Sequence, residues 1–301
     1  MAYEKQLSYI LSLLPYENKN AANTLINSGA AVDEIRIREN KPAAVTVSGN
    51  SLFLGGSGNI SHIPQNAVIC DKKTVNDTFL RICEGSVFAH TDEIKNGFIS
   101  VKGGFRAGVC GDFSTGAVPH ITSINIRIAR EVSGCADKLA NAFCGGMLVA
   151  GPPGCGKTTV LRDLIKTLSN RGKRLVVIDS RREISGGDCD FAFDLGNNTD
   201  IIFSPNKAHG VEMALRSMYP NIIAFDEIGT AAEITGVLEA FNSGVDIVTT
   251  AHIGSVKELC ERPVTRELLL SKTIKTVGFL PQKCGEIKIY SIGEILREIP
   301  D

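Results

Sequence analysis

The residues best placed to do chemistry stand in a row from Gly151 to Thr159, Gly-Pro-Pro-Gly-Cys-Gly-Lys-Thr-Thr. Glycine, four residues, glycine, lysine and a hydroxyl residue is the spacing of a loop that cradles phosphates. That spacing also arises by chance, but here the apolar run Met147 to Ala150 leads in and the amphipathic stretch Thr159 to Leu168 leads out. A phosphate loop needs such a strand before it and such a helix after it. Pro152 and Pro153 carry no N–H, so the donors facing a phosphate are expected from Gly154 through Thr158, at the positive end of the helix. Lys157 is placed to neutralise the β and γ phosphates of ATP, and the Thr158 hydroxyl to ligate Mg²⁺. Gly151, Cys155, Gly156 and Thr159 complete the expected nucleotide contacts. Cys155, beside Lys157 at a helix N-terminus, is expected to react with alkylating reagents unless ATP protects it. The plainer reading of Cys155 is a small residue filling the loop.

A second constellation lies 226 − 157 = 69 residues beyond the loop lysine, where the apolar run Asn221 to Phe225 ends in Asp226 and Glu227. Two adjacent acids at a strand end repel one another unless a cation compensates them. The pattern is that of a Walker B strand, with Asp226 on Mg²⁺ and Glu227 free to polarise the attacking water. Without a phosphate loop nearby, the same pair would read as a solvated strand end. Asp246 to Thr250, followed by Ala251 and His252, is a further apolar run with a polar end. In ATPases of this kind such a strand lies between the loop strand and the Walker B strand, so Thr250 or His252 could report on the γ-phosphate. A histidine there is otherwise a satisfied surface residue, and His62, His90, His120 and His209 are read that way. Leu175 to Ile178 leads into Asp179 and Glu183, which could position water or metal; equally, Glu183 could pair with a neighbouring arginine.

Elements must place these groups. At 301 residues the chain suggests two domains. Its 43% hydrophobic and 22% charged residues are ordinary for a packed globular protein. A net charge of −1 lacks the basic excess of a protein whose main partner is a phosphate backbone, so direct nucleic-acid binding is not expected. Nine cysteines without a Cys-x-x-Cys pair argue against a disulfide framework and a structural zinc site, and imply a reducing cytoplasm. No run approaches 18 apolar residues, so membrane contact is expected only through partners. No internal repeat or low-complexity tract is evident.

Two short helices open the chain, before Pro15 and from about Asn20 to Ile26. Antiparallel strands follow, at Ile35 to Arg38 and Ala44 to Val47 with a turn at Gly49-Asn50, then a helix from Lys73 to Cys83. Further strands are expected at Gly97 to Ser100, Arg106 to Cys110 and Ile124 to Ile128, the first two joined through Lys102-Gly103-Gly104. After Ser133-Gly134 strands alternate with helices, at Met147, Leu175, Ile222 and Ile247, which predicts a largely parallel sheet. The expected fold is α/β: a smaller N-terminal α+β domain over residues 1–135 and a P-loop NTPase domain with a largely parallel sheet over 136–301.

With these residues assembled, the chain resembles the stage III sporulation protein AA family of endospore-forming bacteria. More distantly it is similar to the traffic ATPases of type II and type IV secretion and pilus retraction. The resemblance covers both halves through Val32 to Arg38, Gly103 to Gly111, Ser123 to Glu131, the phosphate loop, and Met218 to Gly229. It implies a RecA-like P-loop NTPase core beside the smaller N-terminal domain, and an ATP- and Mg²⁺-dependent ATPase, working as a homohexameric ring with the nucleotide between domains and neighbouring subunits. It also implies a place in the mother-cell cytoplasm, energising a channel or secretion complex towards the forespore by docking on membrane proteins. A glutamate directly after the Walker B aspartate marks hydrolytic ATPases among related families. Asp179 and Glu183 fall at the acidic box of secretion ATPases and His252 at their histidine box. Asp226 departs from them, since many have glycine there. The resemblance further implies that Arg106, Arg127 or Arg130 of the N-terminal domain reaches the nucleotide, with Arg127 stabilising charge on the γ-phosphate; Arg216 is a further candidate. From pattern alone, Arg127 alternates with Ile124, Ile126 and Ile128 and belongs to a solvated face. The competing readings are a nucleotide-gated scaffold with negligible turnover and a RecA-like motor on nucleic acid, the latter disfavoured by charge.

Overall fold

Ile35 and Ile37 are fully buried while Arg36 between them is exposed, the period-two signature of a strand with one covered face. The structure, a computed structural model, describes residues 2–30, 32–56, 58–102, 105–114, 119–128, 131–186, 192–281 and 286–297. Contacts divide the chain into two compact units, Met1–Arg130 with Gly186–Ala192, and Glu131–Ser185 with Phe193–Asp301.

The first unit opens with helices α1 (Ala2–Leu13) and α2 (Tyr16–Asn27). Strands β1 (Val32–Arg38), β2 (Lys41–Pro42), β3 (Ala44–Val47), β4 (Asn50–Leu54), β5 (Ile60–Ser61) and β6 (Ile69–Cys70) follow. Next come α3 (Lys72–Ile82), α4 (Thr91–Lys95), β7 (Phe98–Val101), β8 (Phe105–Asp112) and β9 (His120–Arg127). Its main sheet is antiparallel, in the order β5-β4-β3-β1-β9-β8-β7. The β3–β4 turn is Ser48-Gly49, one residue earlier than Gly49-Asn50; both have positive φ, 49° and 85°, which suits the twist of a two-residue hairpin. Val75, Phe79 and Ile82 of α3 pack into one core with Ile10 and Leu14 of the N-terminal segment and Ile124 and Ile126 of β9. The Gly103-Gly104 turn lies outside the described residues.

In the second unit the order is α5 (Asp137–Ala142), β10 (Met147–Gly151), α6 (Lys157–Asn170), β11 (Leu175–Ile178), β12 (Thr199–Ile202), α7 (Lys207–Ser217) and β13 (Ile222–Phe225). Then come α8 (Ala231–Asn242), β14 (Asp246–His252), α9 (Val256–Glu261), α10 (Pro263–Leu270), β15 (Thr276–Phe279), β16 (Lys288–Ser291) and α11 (Ile292–Leu296). The sheet runs β12-β11-β13-β14-β10-β15-β16, parallel except at β16. Strands β10, β11 and β13 are buried throughout, as strands covered on both faces must be. β14 inserts between β13 and β10, as expected for ATPases of this kind, with His252 in register with Gly151. The carboxyl ends of these strands therefore bring Gly151, Asp179, Asp226 and His252 to one edge of the sheet, where open α/β sheets bind ligands.

Candidate functional site: a phosphate loop and paired acids

Gly154 and Gly156 hold φ of 74° and 101°, and a Cβ on either would meet open space, so backbone conformation is what selects glycine there. Gly151 is different, because a Cβ would stand 2.5 Å from the Leu280 carbonyl oxygen and 2.7 Å from Cys155 Sγ. α6 begins with Gly156 as its N-cap and no side chain bonds to its first turn. By contrast α3, α7, α8 and α9 are capped by Asp71, Asn206, Thr230 and Ser255. The first N–H groups of α6, at Lys157, Thr158 and Thr159, are thus left for an anion.

Lys157 is 6% exposed, and its ammonium donates to the carbonyls of Gly151 at 3.0 Å and Pro152 at 2.9 Å. Burial pushes its pKa below the ordinary lysine value, while Cys155, Asp226 and Glu227 pull the other way. His252 Nδ1 lies 2.9 Å from Lys157 Nζ. An ammonium has no acceptor, so Nδ1 must accept and the ring proton sits on Nε2, which faces Glu227 Oε1 at 3.6 Å. His252 therefore bridges the loop lysine and the second acid.

The Thr158 hydroxyl donates to Asp226 Oδ2 at 2.6 Å, and the Thr250 hydroxyl donates to Oδ1 of the same carboxylate. Thr250 is fully buried and its oxygen also accepts the Glu227 N–H at 2.9 Å. A hydroxyl and a carboxylate in contact, with an uncapped helix start beside them, form an all-oxygen donor set. It fits Mg²⁺, which takes one or two protein oxygens and completes its shell with phosphate oxygens and water. Glu227 has a φ of 56°, rare for a side-chain-bearing residue, and its side chain is 41% exposed.

Asp179 is buried, and its two oxygens receive the N–H groups of Glu183, Ile184 and Ser185 and the Ser185 hydroxyl. Asp179 thereby holds the turn that follows β11. Arg162, on α6 one turn after Thr158, donates through Nε and Nη2 to the Glu183 carbonyl at 3.1 and 2.6 Å and stacks on Phe193 at 4.2 Å. Burial drives its guanidinium pKa down to about 10 against the pull of Asp226 and Asp179. Asp179, Arg181, Glu183, Lys207, Asp226 and Glu227 line one small cavity of about 20 Å³. On its other side Glu227, with Gly229, His252 and Arg262, borders a second of about 190 Å³.

Cys155 is 4% exposed, its sulfur tucked against Gly151, so it fills the loop and does not present a thiol to reagents. Arg216 is 77% exposed and pairs with Glu212 one turn away on α7, at 2.6 Å. Arg106 and Arg127 are cross-strand neighbours on β8 and β9 of the first unit, Arg106 stacking on Phe98 at 3.7 Å. Arg130 lies outside the described residues. Pattern reading missed Arg162, Arg181 and Lys207. A lysine at the first position of α7 was the available signal, since a cation opposes the helix dipole there.

A parallel sheet whose glycine loop feeds a helix, with an acid pair ending a nearby strand, defines a RecA-like P-loop fold. The sequence profile described as "Sporulation stage III, protein AA" matches residues 5–293, and the chain belongs to that family. It is 32% identical over 285 residues to stage III sporulation protein AA of Bacillus subtilis (strain 168), covering 87% of each chain. Among solved structures it is similar to the ATPase DotB of Yersinia pseudotuberculosis (TM-score 0.60, 17% identity), covering 88% of this chain and 75% of that one. It is also similar to the pilus retraction motor PilT with bound ADP (TM-score 0.58, 16% identity), covering 89% and 79%. No helix among the described residues is long and apolar enough to cross a membrane.

Proposed function

We propose that the chain binds ATP with Mg²⁺ at the Gly151–Thr159 loop and hydrolyses it. The observation that carries this reading is the 2.6 Å contact between Thr158 and Asp226, which joins the loop to the Walker B strand with Glu227 next in line. Mg²⁺ bound by Thr158 and Asp226 would neutralise charge on the β and γ phosphates. Lys157 supplies a second positive charge, and the amides from Gly154 to Thr159 receive the phosphate oxygens. Glu227 takes a proton from the attacking water, and His252, in contact with both Lys157 and Glu227, couples phosphate occupancy to the base.

Membership of the sporulation family supports a role in sporulation, and the fold shared with DotB and PilT supports a motor-type assembly. In that reading a homohexamer in the mother-cell cytoplasm energises a channel or secretion complex through its membrane proteins. Arg106, Arg127 and Arg130 are its candidates for nucleotide contact.

Steady-state phosphate release tests the chemistry. Glu227→Gln is expected to lower kcat by about 10² to 10⁴ while calorimetry still detects nucleotide binding, and Lys157→Ala to weaken binding itself. Release unchanged by Glu227→Gln would instead favour a nucleotide-gated scaffold.

A further inference from the structure

Glu227 has left-handed backbone, which a non-glycine residue holds only where its surroundings enforce it. From the β14 side, Thr250 enforces it by accepting the Glu227 N–H at 2.9 Å through its hydroxyl and the Ile228 N–H at 2.8 Å through its carbonyl. From the α7 side, Lys207 Nζ donates to the Glu227 carbonyl. The same ammonium pairs with Glu233 Oε1 at 2.9 Å, while Glu233 Oε2 receives the N–H groups of Gly229 and Thr230, each at 2.9 Å. Burial alone would raise the Glu233 carboxyl, but the Gly229 N–H and Lys207 outweigh it and hold it below the usual range, so Glu233 stays ionised beside Lys207.

The placement of Lys207 makes little sense for the helix alone. It is the first residue of α7, where a cation opposes the helix dipole, and Asn206 already caps that helix. Its side chain is only 15% exposed, which costs hydration unless fixed acceptors replace water. The Glu227 carbonyl and Glu233 are those acceptors.

We propose that Lys207 is a positioning residue for Glu227: it clamps the Asp226–Gly229 turn to α7 and so fixes where the catalytic carboxylate stands. The proposal rests on Glu227 acting as the base. It is tested in the full chain by phosphate release and nucleotide affinity for Lys207→Met, Lys207→Arg, Glu227→Gln and the Lys207→Met/Glu227→Gln double variant. Lys207→Met is expected to lower kcat by about 10- to 100-fold, the usual effect of removing a residue that orients a catalytic group. Nucleotide affinity and KM should stay near wild type, and Lys207→Arg, which keeps the donors, should recover most of the rate. In the Glu227→Gln background the methionine should cost nothing further, because the group it orients is already gone.

Wild-type kcat in Lys207→Met with an inactive Glu227→Gln overturns the clamp and leaves the base standing. A parallel loss of affinity and kcat, or an additive double variant, also overturns it, since a purely structural lysine would behave so. Full activity in Glu227→Gln removes the base and the clamp with it. Should Lys207→Met not fold, Lys207→Gln is judged by the same measurements.

Discussion

Thr250, itself fully buried, does two jobs with one oxygen, donating its proton to Asp226 and receiving the Glu227 N–H. Thr250→Val keeps the shape and removes both bonds, leaving a buried amide unsatisfied. The expected cost is about 1–3 kcal/mol of stability, with a larger fractional loss of turnover because Asp226 and Glu227 each lose one of their anchors. Denaturant midpoints and phosphate release measure the two effects, and Thr250→Ser, which retains the hydroxyl, should restore most of each. A valine variant with unchanged turnover would mean that the acids are held without it. That Lys157, Thr158, Asp226 and Glu227 meet in space was legible in the sequence, because each stands at a fixed offset from a strand end. Lys207 and Arg162 were not, since their meaning comes from meeting Glu227 and Glu183, 20 and 21 residues away, in space. For Cys155 the sequence left a reactive thiol and a loop-filling residue both open, and its burial against Gly151 favours the second.

The buried parallel strands were readable at the scale of elements, and the sheet's margins were not. β10, β13 and β14 are apolar runs because both of their faces are covered. β12 and β16 lie at the two edges, with part-exposed residues and no such run. β15 contains Gly278, which reads as a breaker but sits where a Cβ would come within 2.5 Å of Leu139. α6 is the element that organises the site, since Lys157 and Thr158 lie in its first turn and Arg162 one turn on. Arg162 fastens this helix to the turn held by Asp179, so the phosphate loop and the β11 turn share one support. Arg162→Met would remove both guanidinium donors from the Glu183 carbonyl, and a loss of about 1–3 kcal/mol in stability is expected. Nucleotide affinity, read by calorimetry, should fall with it; a variant as stable as wild type would show that the turn is held by Asp179 alone.

For the whole molecule, the half-open state of the acids bears on assembly. Glu227 and His252 are each 41% exposed and Arg181 is 54% exposed, so one chain alone leaves the proposed hydrolytic centre in contact with bulk water. Closing such a centre strengthens its electrostatics and limits side reactions, and a second surface can supply the closure. A head-to-tail contact that does so for one subunit does so for each in turn, and closes into a ring when the rotation permits. Sedimentation velocity should therefore show a mass increase with Mg²⁺ and a non-hydrolysable ATP analogue. Lys157→Ala should not shift, because it cannot couple phosphates to the surface around His252. A net charge of −1 lacks the basic excess that binds a phosphate backbone, so an oligonucleotide should leave the profile unchanged at physiological salt. A single-chain mass with and without the analogue, at concentrations where phosphate release is measured, would mean that one chain completes its own site and that no ring is needed for the chemistry.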